Sequence, residues 1–297
     1  MAEENNGAGP SPRSPLTIIM TILGIVVLPL AVGLYLAPRL VPEPKIGIIR
    51  LNYDIMGETA QEMAAQLAYA RQDPAIKAVV LAINSPGGSA AYSEELFLDV
   101  LQTRQDLPVV ASIDLLAASG AYYVAAAADE IYAKPTSNVG SIGVLAILPG
   151  PVFLDDELIT TGPYKAFGGS QDSTLRQIEM AKFAFLDAVQ SGRGERLLAE
   201  PEQLSRAEIF SGVQAEEMGL IDGLLSNEQA TQRAAELAGL SNYELVELLP
   251  LTFPELFAGL AAETYRPAAV DPGVLWAPPH DLPAGLYYRY IEPPPVG

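Results

Sequence analysis

Twenty-three consecutive residues, Pro15 to Ala37, carry no charge and are rich in Leu, Ile and Val, which leaves the start of this chain few structures to adopt. At about 1.5 Å per helical residue such a run covers a hydrocarbon core of about 30 Å, and a helix satisfies its own backbone there. The apolar stretch exceeds the roughly 7 to 15 residues of a signal-peptide core, and its front is not clearly basic. A transmembrane anchor over 15–37 is therefore expected, with a kink at Pro29, behind a disordered polar tail over 1–14. Arg13 precedes the run while Arg39 and Lys45 follow it, so charge gives no orientation across the membrane.

Beyond a stiff, proline-bearing linker over 38–44, apolar runs of strand length alternate with helical spacing. Strands are expected over Lys45–Leu51, Lys77–Asn84, Pro108–Ile113 and Glu130–Ala133. Helices are expected over Gly57–Arg71, Glu94–Arg104, Tyr122–Ala128 and Ser173–Ala199, with one more between Ile209 and Gly223. Ser85-Pro86-Gly87-Gly88 and Ser141-Ile142-Gly143-Val144 read as turns. This alternation implies one α/β domain over 45–249 with a largely parallel sheet. Residues 250–297 hold ten prolines and read as an appendage that lies disordered or extended in a groove.

The composition narrows the chemistry. A net charge of -19 on 297 residues argues against nucleic acid as a partner, since phosphate binding relies on clustered cations. There is no cysteine, so thiol catalysis and disulfides are out. The single histidine, His280, falls in the proline-rich tail, and no His, Asp and Glu spacing suits a metal. No cofactor is implied. A serine hydrolase still needs a base, and with histidine so scarce lysine is the candidate. Of the five lysines, Lys165 follows Gly162-Pro163-Tyr164, a setting that suits an amine held in a fixed, partly desolvated place. Burial disfavours an ammonium, and a lysine acting as base must be neutral. Ser119, in Ala118-Ser119-Gly120-Ala121-Tyr122-Tyr123, precedes an alanine-rich helix whose free amides favour developing negative charge. Backbone N–H groups of Gly120 and Gly88 would form a two-donor oxyanion hole. The residues point to a Ser119–Lys165 dyad.

In order, the anchor, Asn84-Ser85-Pro86-Gly87-Gly88, Ala117 to Tyr123, Gly140-Ser141-Ile142-Gly143-Val144, Gly162-Pro163-Tyr164-Lys165 and Ile209-Phe210-Ser211-Gly212 resemble the signal peptide peptidase A family, membrane-bound serine peptidases of family S49. The likeness covers about residues 45–230. Ala121 stands where that family usually has glycine, and Ala166-Phe167 where a polar pair is often seen. The resemblance implies a Clp protease/crotonase-like fold and cleavage of signal-peptide remnants and other apolar peptides. It implies a catalytic domain outside the cytoplasm, and a homo-oligomer whose serine and lysine come from adjacent protomers. It also makes Ser141 the group that orients the lysine. Two other readings use the same fold: a catalytically inactive membrane scaffold, and a crotonase-type acyl-CoA enzyme, which would leave the anchor and Lys165 without a purpose.

Overall fold

The computed structural model describes residues 14–40, 43–146, 161–162, 164–165 and 169–257. The elements in chain order are α1 (Pro15–Ile22), α2 (Leu28–Leu40), β1 (Lys45–Leu51), α3 (Gly57–Gln72), β2 (Ile76–Ser85), α4 (Ala90–Thr103), β3 (Val109–Ala118), α5 (Gly120–Ala126), β4 (Glu130–Ala133), β5 (Asn138–Gly140) and α6 (Gln171–Arg193). They continue with α7 (Pro201–Leu204), β6 (Ile209–Ser211), α8 (Gly212–Glu217), β7 (Gly223–Leu224), α9 (Asn227–Leu237), β8 (Glu244–Glu247), α10 (Leu248–Thr252) and α11 (Pro254–Phe257). One compact unit runs through Phe253, and a second begins at Pro254.

The uncharged run does not form the single helix expected of it. A π-helical turn, Leu23–Val27, separates α1 from α2, and among the described residues no helix is long and apolar enough to cross a membrane. Pro29 supplies the reason. Its ring clashes with the carbonyl four residues earlier and it lacks an N–H, so the hydrogen-bond ladder widens in the turn before it.

Among the described residues the sheet has eight strands in the order β6-β5-β3-β2-β1-β8, with β4 joining β3 to β7. Every pairing is parallel except β5 with β6. Its central strands are covered on both faces, so they are continuously apolar rather than alternating. Val79, Leu81, Ile83 and Ile113 face the main core with α3, α4 and α5, whereas Ala78, Val80 and Val110 meet the alanine face of α9. Each fully buried Ile, Leu or Val contributes about 1.5–3 kcal/mol.

β3 changes partner part-way along its length. Val110–Ile113 pair with β4, and Leu116–Ala118 pair with β5. Ser137 Oγ donates to the Asp114 carbonyl (2.7 Å) at the junction, and Lys134 Nζ donates to the Asp114 carboxylate (2.6 Å). Burial opposes ionisation of Asp114, but Lys134 and Asn227 hold its carboxyl below the usual range. This switch sets the end of β5 beside the end of β3.

Two expected helices are revised. The long one ends at Arg193 rather than Ala199, because Gly194 has φ 55 and the chain turns there into a 3-10 segment. The stretch 209–223 is not one helix: it holds β6, α8 and β7. α9 and β8 carried no expectation; a run of alanine and polar residues in α9 gives a weak apolar signal until the sheet covers it.

Candidate active site

The motif residues converge where three parallel strands end. β2 runs out at Ser85 into Pro86-Gly87-Gly88, β3 at Ala118 into Ser119, and β5 at Gly140 into Ser141. The registers Ser85↔Ala117 and Ala118↔Gly140 put the three exits side by side. This carboxyl edge is where ligands bind in open α/β sheets.

Ser119 caps α5 with φ 53 and ψ -126, and its side chain makes no cap hydrogen bond. A positive φ in a non-glycine residue costs about 1–3 kcal/mol and persists only where its surroundings impose it. The Ser119 N–H donates to the Gly140 carbonyl (2.8 Å), and its carbonyl accepts from the Tyr123 N–H (3.0 Å). These bonds leave the hydroxyl free of the helix end it caps.

The glycines around it are fixed by close approach. Gly87 has φ +94, and a Cβ there would sit 2.5 Å from the Gly120 nitrogen and 2.7 Å from the Ala118 oxygen. A Cβ on Gly88 would strike the Ile55 backbone, and one on Gly120 would strike Ser93 Oγ and sit 3.3 Å from the Gly88 nitrogen. Ile55 donates to the Gly87 carbonyl and accepts from Ser89, each at 2.8 Å. That parallel bridge turns the N–H of Gly88 away from Ile55. Gly120 is the first residue of α5, so its N–H has no partner within the helix.

A cavity of about 670 Å³ opens here, lined by Ser119, Gly88, Gly120 and Ser141, with Tyr123 and Phe185 among its apolar walls. Tyr123 packs edge-on against Phe97 (5.0 Å between centroids) and tilted against Phe185 (4.8 Å). Burial, then the nearby Glu94 and Asp187 carboxylates, push its hydroxyl pKa up. Ser141 is a second non-glycine residue at positive φ (52), and its N–H donates to the Glu208 carbonyl (2.8 Å). Among the described residues, the charged ones on the wall are Asp54 and Glu94, both acidic. Among the described residues no group of three or more His, Asp or Glu could hold a metal ion.

Ser119, Gly88, Gly120 and Ser141 thus meet at one cavity, and Lys165 does not join them. It is exposed, in a turn closed by its N–H on the Gly162 carbonyl (3.2 Å), and it is not part of the cavity wall. Within one chain the turn presents it to solvent. Pro163, Ala166 and Phe167, which flank it in sequence, lie outside the described residues. Sequence reading missed Ser93, which is buried against Gly120, and Ala207, which lines the cavity at φ 55. Neither carries a signal without its neighbours in space.

Comparison with known proteins bears on the same residues. The model of peptidase family S49 matches residues 102–241, which include Ser119, Ser141 and Lys165, and that of the Clp protease family matches 44–139. Over 102–241 the chain is therefore similar to peptidase family S49. Protease 4 of Salmonella typhi is 31% identical over 196 residues, covering 61% of this chain and 32% of that protein. A putative protease of Methanocaldococcus jannaschii is 36% identical over 189 residues, 59% of this chain and 61% of its own length. The chloroplastic serine protease SPPA of Arabidopsis thaliana is 27% identical over 222 residues, 68% of this chain and 33% of that one. The chain spans about a third of the first and third relatives and about three fifths of the second.

Proposed function

We propose that this chain is a peptidase of family S49, a membrane-anchored serine endopeptidase that cleaves signal-peptide remnants and other apolar peptides through a Ser119–Lys165 dyad. The observation that carries the reading is Ser119 itself, strained at the start of α5 with an uncapped hydroxyl beside the backbone of Gly88 and Gly120. A neutral Lys165 amine takes the hydroxyl proton as Oγ attacks the peptide carbonyl carbon. The carbonyl electrons move onto oxygen, which the amides of Gly88 and Gly120 stabilise; one such donor is worth about 2.7–4 kcal/mol of barrier. Collapse expels the amine with the proton from Lys165, and water, deprotonated by Lys165, then hydrolyses the acyl-enzyme. Ser141 holds the lysine amine in line.

The exposed position of Lys165, off the cavity wall of its own chain, supports a site shared between neighbouring protomers of a homo-oligomer. Head-to-tail contacts of that kind close into rings. Anchoring rests on the uncharged 15–37 run: α1, the π-helical turn and α2 follow one another without a break. The resemblance to the signal peptide peptidase A family, not the anchor, supports a catalytic domain outside the cytoplasm. An acyl-CoA enzyme is disfavoured, because no lysine or arginine is among the described residues lining the cavity to meet a CoA phosphate.

Fluorophosphonate labelling of the full chain, located by mass spectrometry, combined with cleavage of an apolar peptide, tests the reading. Label on Ser119 and cleavage lost in Ser119→Ala are the expected results. An unlabelled, inactive wild-type oligomer would instead make the chain a scaffold.

A further inference from the structure

The mechanism gives no part to Tyr122, the wholly buried aromatic residue three positions after Ser119 on α5. Its hydroxyl donates to the Leu220 carbonyl at 2.7 Å. The other buried side chains of this seven-residue helix, Ala121, Val124, Ala125 and Ala126, are small and apolar. Their attraction is non-directional, so it resists sliding or rotation of so short a helix only weakly. Tyr122 supplies a directional contact, as the ring of Tyr123 does on the cavity side.

The acceptor is itself fixed. Leu220 donates its N–H to the Ala215 carbonyl (2.8 Å), and the Gly219 carbonyl before it accepts from Arg193 Nε (2.8 Å). Two residues on, the Asp222 carboxylate takes Arg193 Nη1 and Nη2 (2.7 and 2.9 Å) and the Ile131 N–H (2.7 Å), while its own N–H donates to the Ile131 carbonyl (2.7 Å). Leu220 is thereby tied to β4 and to the last turn of α6, the helix that brings Phe185 to the cavity. At the other end of the same turn, the Ser119 N–H is held by Gly140.

We propose that the Tyr122 hydroxyl is a positioning group for Ser119: by fixing the third residue of α5 to the Leu220 carbonyl, it sets the rotation and depth of the helix whose first turn presents the nucleophile. With Ser119 at φ 53, release of that bond lets the turn relax away from the geometry that aims Oγ into the cavity. A misplacement well below the size of an atom already lowers turnover, because attack requires aligned orbitals at contact distance. The inference rests on the reading of Ser119 as the nucleophile.

The test uses the full-length oligomer with rates expressed per titrated site. Tyr122→Phe removes the donor and keeps the ring. The rate constant for phosphonylation of Ser119 and kcat should fall together, about five- to tenfold, with KM for the peptide unchanged. 4-Aminophenylalanine at position 122, which restores a donor at the same place, should recover most of that loss. A packing role would lower the thermal transition and the number of titratable sites, but not the rate at each site. Unchanged per-site rates in Tyr122→Phe, or a loss the amino analogue does not repair, overturn the positioning role. Should the phenylalanine variant fail to fold, an ester in place of the Leu220–Ile221 amide weakens the same acceptor and is read by the same rates. Labelling absent from the wild-type Ser119 overturns the nucleophile reading and this inference with it, whereas a labelled wild type with an unaffected variant overturns this inference alone.

Discussion

The backbone of Gly87 lies against the amide of Gly120, so that a Cβ on Gly87 would stand 2.5 Å from the Gly120 nitrogen. Gly87→Ala must therefore displace the segment that carries Ser119 and one oxyanion donor, and it also forces alanine to φ +94. Turnover and fluorophosphonate labelling are expected to fall at least about a hundredfold, the usual effect of a displacement near 1 Å. A Gly87→Ala chain that labels at the wild-type rate would show that this contact does not set the site.

Removing either member of the proposed dyad should separate function from folding. Ser119→Ala and Lys165→Ala are each expected to abolish peptide cleavage while leaving the thermal transition nearly unchanged, since Ser119 is half-buried and Lys165 exposed. Lys165→Arg should be equally inactive, because a guanidinium does not give up its proton in a protein. Cleavage surviving in either alanine variant rules out the dyad.

The proposed sharing of the site between protomers makes its own prediction. Co-expressed Ser119→Ala and Lys165→Ala chains should regain activity, because an intact serine on one protomer then meets an intact lysine on its neighbour. If the two groups meet within one chain, no mixture of these variants restores a site, and mixed oligomers stay inactive.

The clamp below α5 sets an acid limit on stability. Burial raises the Asp222 pKa, but hydrogen bonds and charge from Arg193, with Arg196 and the Ile131 N–H, outweigh it and hold the carboxyl below its ordinary value of 3.8. Since the folded value is the lower one, the stabilisation is complete above the unfolded pKa, near 4, and is lost as pH falls from there through the folded pKa. Asp222→Asn leaves the Arg193 guanidinium, whose side chain is 0% exposed, buried without its counter-charge. Denaturant unfolding at pH 7 should show a loss of about 3–5 kcal/mol. The variant should also lose less stability between pH 5 and pH 2 than the wild type; an equally steep acid loss would remove Asp222 from the account.

The sequence by itself determined the alternation of apolar strands and helices from Lys45 onward and the glycines at 87, 88 and 120, because these follow from local spacing and backbone freedom. It also singled out Ser119, Ser141 and Lys165 as the groups able to carry acyl transfer in a chain without cysteine. Only the tertiary structure decided which of them meet. The change of partner along β3, from β4 to β5, is what sets Ser141 beside Ser119, and no local pattern encodes a strand that pairs twice. The positive φ of Ser119 and Ser141 is imposed by the Gly140 and Glu208 carbonyls, contacts made across the fold. Arg193 carries no local mark that sets it apart from the other charges of the 173–199 stretch. Asp222, 29 residues further along, turned it into a buried anchor, because a charge enters the interior only where a distant partner is already waiting.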